Sequence, residues 1–215
     1  MKKYDKQEMA KIIEIAEFEN RHREFKPPFN WKDQKSNWIK ETVIRTILGF
    51  SNTPQGGLLI IGVSEDSQKR PVVKGLTPDE LLSFDQYDTI KGVVESFSST
   101  SINFEIGWGE YSSSKSKVNL ILISVSEFQE LPTICKRGGQ TEKLRRGVVY
   151  ARQKIGTAGT IAATEVEMGE IIKMAADKNL SELEARGLIS LNKKPQPLKE
   201  SDREKFIQQN LDLEI

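Results

Sequence analysis

The stretch FSNTPQGGLLIIGV, residues 50–63, decides how this chain is read. Residues 58–63 form an unbroken apolar run of strand length, which predicts a central strand covered on both faces. Just upstream, Ile39, Val43, Ile47 and Phe50 fall at i, i+4, i+8 and i+11, the period of a helix with one apolar face. That helix is expected over residues 36–50, with Ser36 as its N-cap, and Asn52, Pro54 and Gly56-Gly57 stop it. A helix feeding a buried strand is the unit around which the other elements are placed.

Working outward, Met9, Ile12, Ile13 and Ala16 predict a helix over residues 5–19, and residues 23–27 read as a short strand closed by Pro27-Pro28. Downstream, Thr77-Pro78-Asp79-Glu80 is a capping box with proline at the first helical position. A further helix is expected around residues 90–97. Ile102, Phe104, Ile106 and Trp108 alternate with polar or small residues, and 118–125 returns as a strand, giving a hairpin across a serine- and lysine-rich turn. Strands are expected at 133–136 and 147–152. Thr164 and Glu167 form a second capping box that opens a helix over 165–176, and Leu180, Leu183 and Leu188 support one more. Residues 192–200 read as a linker, and Ser201 with Glu204 cap a terminal helix. The outline is an α+β domain over residues 1–176 with a helical tail over 177–215.

Composition excludes several classes. The chain has 215 residues, with 32 Lys and Arg against 31 Asp and Glu, so an anionic partner must be held by a local patch rather than by net charge. One cysteine, Cys135, and one histidine, His22, cannot supply a four-ligand zinc site or a disulfide. No apolar run approaches the ~20 residues that span a bilayer, and the N-terminus lacks the apolar segment of a signal peptide. A cytoplasmic protein without membrane association is expected. Neither GxxxxGK[ST] nor GxGxxG nor GxSxG is present. His22 is the only histidine that could serve a serine or cysteine nucleophile as base, and nothing in the sequence places Cys135 and His22 together as a dyad.

Two constellations carry chemistry. Glu19 and Glu24 are five residues apart, which on one continuous helix would separate them by ~140°. They can converge only if the helix ends between them, as the strand beginning at Arg23 requires. In that strand Glu24 and Lys26 share one face and Phe25 takes the other. Glu65-Asp66 lies where the chain leaves the apolar strand. Carboxylates clustered at strand ends hold Mg²⁺ or Mn²⁺ against a phosphodiester; the alternative is a solvated helix end and a polar turn. The second constellation is basic. Residues 136–154 hold Lys136, Arg137, Lys143, Arg145, Arg146, Arg152 and Lys154 against the single acid Glu142. Gly138-Gly139 and Tyr150 add loop freedom and a ring that could stack a base, a pattern that suits a nucleic-acid backbone.

Glu19-x-x-x-x-Glu24-Phe25-Lys26, then Gly49-Phe50-Ser51-Asn52-Thr53, then Gly56-Gly57-Leu58-Leu59-Ile60-Ile61-Gly62-Val63 followed by acids, resembles the Schlafen AlbA_2 domain. Tyr150-Ala151-Arg152 matches the late strand motif of that family, with Gly156 further along than its pattern has it. The resemblance covers roughly residues 15–175 and implies a mixed β-sheet flanked by helices and an association with nucleic acid. It further implies a metal-dependent endoribonuclease acting on structured RNA such as tRNA. Glu19, Glu24 and either Asp66 or Glu65 would then hold Mg²⁺ or Mn²⁺, and Lys26 would offset charge at the scissile phosphate. The lobe would be completed by a second copy or a partner protein. The competing expectation is a non-catalytic DNA- or RNA-binding regulatory module, or a subunit of an antiviral defence complex.

Overall fold

The structure is a computed structural model that describes residues 1–14, 19–66, 68, 70–112, 117–154 and 159–189. Its centre is a five-stranded mixed sheet in the order β1-β6-β7-β3-β2. The strands are β1 (Lys2–Lys3), β2 (Arg23–Lys26), β3 (Gly57–Ile61), β6 (Phe104–Ser112) and β7 (Lys117–Val125). β6 and β7 pair antiparallel, as do β7 and β3, whereas β2 runs parallel to β3 with Glu24 opposite Leu59 and Phe25 opposite Ile60. β3 thus has a paired neighbour on each edge. The connection between parallel β2 and β3 runs through a 3₁₀ turn, Gln34–Ser36, and helix α2, Asn37–Ser51. Two small ribbons complete the strands: β4 (Val63–Glu65) with β5 (Pro71–Val73), and β8 (Tyr150–Arg152) with β9 (Thr160–Ala162).

Alternation along the strands divides the core. Leu59, Ile61, Ile121, Ile123, Phe104 and Ile106 pack on one face against Val43, Ile47 and Phe50 of α2 and against Ile90 and Val94 of α4 (Tyr87–Phe97). Phe25, Ile60, Leu120 and Leu122 take the other face, where Met9 of α1 (Lys6–Glu14) covers them. This is the two-sided burial that the apolar run predicts. The capping box at Thr77 and Glu80 forms as expected at the start of α3, Pro78–Leu82.

Several expectations are corrected. The strand expected at 133–136 is reduced to a single bridge between Ser98 and Cys135, because the backbone around it turns to serve side chains: Thr133 gives its N–H and its carbonyl to Asn52. Ser36 occupies the N-cap of α2 without a side-chain hydrogen bond, since the preceding 3₁₀ turn already fills that role. The two helices expected beyond 165 are one, α5, Glu165–Ala185. The end of the helix read to residue 19, the linker and the terminal helix fall on residues 15–18 and 190–215, outside the described residues. The chain divides into two compact units, Met1–Lys178 and Asn179–Ile215.

Gly56 shows why the centre of the motif has no side chain there. Its φ is +66°, and a Cβ would lie 1.9 Å from the carbonyl oxygen of Val125, inside the β3–β7 pairing. Gly56→Ala is therefore expected to lower unfolding free energy by about 2–4 kcal/mol, read from urea denaturation. A loss below about 0.5 kcal/mol would mean that the turn relaxes without disturbing the strand pair.

A candidate nucleic-acid interface and an acidic cluster

Arg152, fully buried in β8, organises the acidic region. One of its terminal nitrogens donates to Glu24 Oε2 and, at 3.2 Å, to Thr160 Oγ1. The other donates to the carbonyls of Asn20 and Arg23 at 2.8 and 3.2 Å, and Nε donates to that of Arg21 at 3.2 Å. Its guanidinium also lies 5.1 Å from the ring centre of Phe50. The expected role for Arg152, gripping a nucleic-acid backbone, is thus corrected: every direction of its fork is already spent inside the protein.

Glu24, only 8% exposed, gives its other oxygen to Lys26, so the shared face read from strand alternation is realised as an ion pair. Glu19 sits beside them, and its Oε1 accepts from the N–H of Phe25 at 2.7 Å. Its carboxyl is pushed above the ordinary value, first by burial and then by the charge of Glu24, with Glu65 adding a smaller push and the Phe25 N–H and Lys26 opposing. The turn between Asn20 and Arg23 therefore brings Glu19 and Glu24 together.

Glu65 and Asp66 differ in what already holds them. Asp66 is committed to the β4–β5 turn, where Oδ1 accepts from the N–H groups of Gln68 and Arg70 at 2.8 and 2.9 Å and Oδ2 from Arg70 Nε at 3.0 Å. Its carboxyl is held below the usual range, first by the Arg70 N–H. Glu65 is exposed at the end of β4 and is the one of the two whose charge reaches Glu19. The side chains as arranged do not fit a shared cation. Among the described residues no group of three or more His, Cys, Asp or Glu is placed to hold a metal, and both Glu24 oxygens already face cations.

The basic loop is pinned from three sides. Buried Glu41 of α2 accepts from the N–H groups of Gln140 and Thr141 and from Thr141 Oγ1. Leu144 is 1% exposed and anchors the loop in the core. Tyr150, 3% exposed, accepts from the N–H of Arg145 at 2.8 Å and donates to the carbonyl of Lys143 at 3.2 Å. Its expected role as a base-stacking platform is corrected, because the ring is buried; Tyr150 positions the loop instead. Around this anchor Lys136, Lys143, Arg145 and Arg146 are exposed and form no ion pair among the described residues. Arg137 lies 4.1 Å from the Phe97 ring centre and donates to Ser96 Oγ, and Lys154 pairs with Glu170 at 3.3 Å, so these two are partly occupied.

Asn52 and Thr53 are functional in the fold in a way that spacing alone does not reveal. The Asn52 amide donates to the carbonyls of Thr133 and Tyr150 at 2.7 and 2.9 Å, and the Thr53 hydroxyl accepts from the N–H of Arg152 at 3.2 Å. Together they hold the loop and β8 against the end of α2. Cys135 is buried, which raises its thiol pKa, and its S–H donates to the Arg137 carbonyl. His22 Nδ1 donates to the Gly56 carbonyl at 2.9 Å, so each has its own backbone partner.

An α+β domain with a mixed sheet, a buried carboxylate–guanidinium pair and an exposed cationic loop defines the class. The family model described as Schlafen, AlbA_2 matches residues 19–158, and the chain belongs to that family. Membership associates the chain with nucleic acid. Among solved structures, it is similar to the DIP2311 protein from Corynebacterium diphtheriae, at 15% identity and a TM-score of 0.37, over 66% of this chain and 22% of that one. The chain thus spans about a fifth of that protein's length. Comparison with curated proteins gives no match. No helix among the described residues is long and apolar enough to cross a membrane.

The raised Glu19 carboxyl sets a pH dependence. A group raised in the folded state favours folding while it is protonated, and that contribution is lost as pH rises through the raised value. Glu19→Gln keeps an acceptor for the Phe25 N–H and removes the charge. Relative to this variant, wild type should lose thermal stability as pH rises from about 4.5 towards neutral, the ordinary glutamate value marking the lower edge of the window. Parallel melting temperatures across that range would contradict the burial and charge assignments.

Proposed function

We propose that this chain is a nucleic-acid-binding module that holds phosphate backbone on its exposed cationic loop. The observation that carries this reading is the pre-anchored loop, in which buried Leu144 and Tyr150 fix the backbone while Lys143, Arg145 and Arg146 face solvent. Fixing the loop before binding lowers the ordering cost of association. RNA and DNA both present the charge that this surface complements. A second copy or another protein extending the surface belongs to the same proposal, as does service within a defence complex.

A second reading, a metal-dependent endoribonuclease acting on structured RNA such as tRNA, is favoured by one observation. Glu24 and Glu65 both raise the Glu19 carboxyl, so three acids share a neighbourhood. Under that reading Glu19, Glu24 and Glu65 would be the Mg²⁺ or Mn²⁺ ligands, and Glu24 would have to give up Lys26 or Arg152.

Binding through four exposed cations predicts that log K falls against log salt with a slope of about −3 for single strands and about −3.6 for duplex. Arg146→Gln should flatten the slope by about 1, measured by fluorescence anisotropy across salt concentrations. A slope near zero, or one unchanged in the variant, would exclude the loop as the footprint. Incubation with tRNA and Mn²⁺ separates the two readings. Bound and intact tRNA supports the module, whereas cleavage by wild type that disappears in Glu19→Gln would establish the enzyme.

A further inference from the structure

Between the cationic loop and α2 lies a depression of about 650 Å³, lined by Arg45, Gly139, Lys143, Arg145, Arg146 and Tyr150. Arg45 comes from α2, roughly a hundred positions away from the loop, and the basic run in the sequence gives no hint of it. Four cations face this space against one carboxylate, Glu142. Arg45 is partly buried, whereas Lys143, Arg145 and Arg146 are exposed. An anion entering the depression would relieve the mutual repulsion of the four side chains.

We propose that this depression is a phosphate-binding pocket in which Arg45, Lys143, Arg145 and Arg146 share the charge of one phosphate group. The inference deepens the nucleic-acid-binding reading and rests on it for the source of the phosphate. A phosphate group fits better than a carboxylate, because it offers more acceptor oxygens than one fork can fill and carries enough charge for several cations. Tyr150 positions the pocket through the backbone of Lys143 and Arg145 without spending their side chains. The volume exceeds what a phosphate alone occupies, leaving room for the adjoining sugar. Both a terminal phosphomonoester and an internal phosphodiester present this chemistry.

The test uses the full chain at constant ionic strength. Inorganic phosphate replacing chloride should raise the melting temperature of wild type, and the rise should vanish in Arg45→Met. Arg45→Lys keeps the charge and the aliphatic stem but lacks the guanidinium fork, so it guards against misfolding of the first variant and should lose part of the rise. Oligoribonucleotides with a 5′-phosphate or a 5′-hydroxyl then identify the source. About tenfold tighter binding of the phosphorylated form, abolished in Arg45→Met, assigns a terminal phosphate. Equal binding of both forms, weakened about tenfold in Arg45→Met, assigns an internal one. Lys136→Gln, which lies outside the pocket, should weaken oligonucleotide binding and leave the response to inorganic phosphate intact. A phosphate response in both Arg45 variants equal to that of wild type, or its absence from wild type, overturns the pocket even if oligonucleotides bind. Conversely, an Arg45-dependent phosphate response without any oligonucleotide binding supports the pocket and removes the nucleic-acid reading.

Discussion

The guanidinium of Arg152 is the constraint on which the acidic region depends. It is fully buried and reaches across some 128 positions to Glu24, and it also ties down the carbonyls of Asn20, Arg21 and Arg23. An arginine in that position cannot shed its charge, so the fold must supply a carboxylate next to it. Glu24 meets that need from a strand whose opposite face carries core Phe25. The lead-in to β2, and with it Glu19, is thereby clamped against β8. Buried pairs of this type add little net stability but are expensive to break, at about 3–5 kcal/mol when one partner is removed.

This clamp separates two regions with different electrostatic character. Around Glu24 the charges are paired internally, with Lys26 and Arg152 on its two oxygens, while Glu19 is left with a raised carboxyl. Around Leu144 they are left open to solvent on a rigid backbone. An interior that has balanced its own charges has little left for an outside ligand, whereas a fixed loop of unpaired cations has a standing attraction for a polyanion. Asn52 and Thr53 connect the two regions, since they hold both Tyr150 and Arg152 at the end of α2.

Much of the fold was legible because burial leaves a period in the sequence. The run at 58–63 and the four-residue spacing of Ile39, Val43 and Ile47 reflect packing that the structure reproduces. The convergence of Glu19 and Glu24 was legible for a geometric reason: the strand at Arg23 forbids a continuous helix. What stayed hidden depends on partners distant in sequence. Arg152 and Tyr150 read as surface binding groups because residue type reveals charge and aromaticity but not depth. The difference between Glu65 and Asp66 turns on which carboxylate the backbone of one tight turn consumes. Arg45 was invisible because its neighbours in the pocket lie on a loop about a hundred residues further on.

A double-mutant cycle between Glu24→Gln and Arg152→Met, followed by urea denaturation, tests most directly whether these two groups form the internal clamp. Each single change leaves an uncompensated buried group, so the destabilisation of the double variant should fall short of the sum by about 2 kcal/mol or more. Strictly additive losses would show that Glu24 and Arg152 do not depend on one another. Glu24 would then be available to an outside cation, and the assignment of the acidic cluster to the fold would be contradicted.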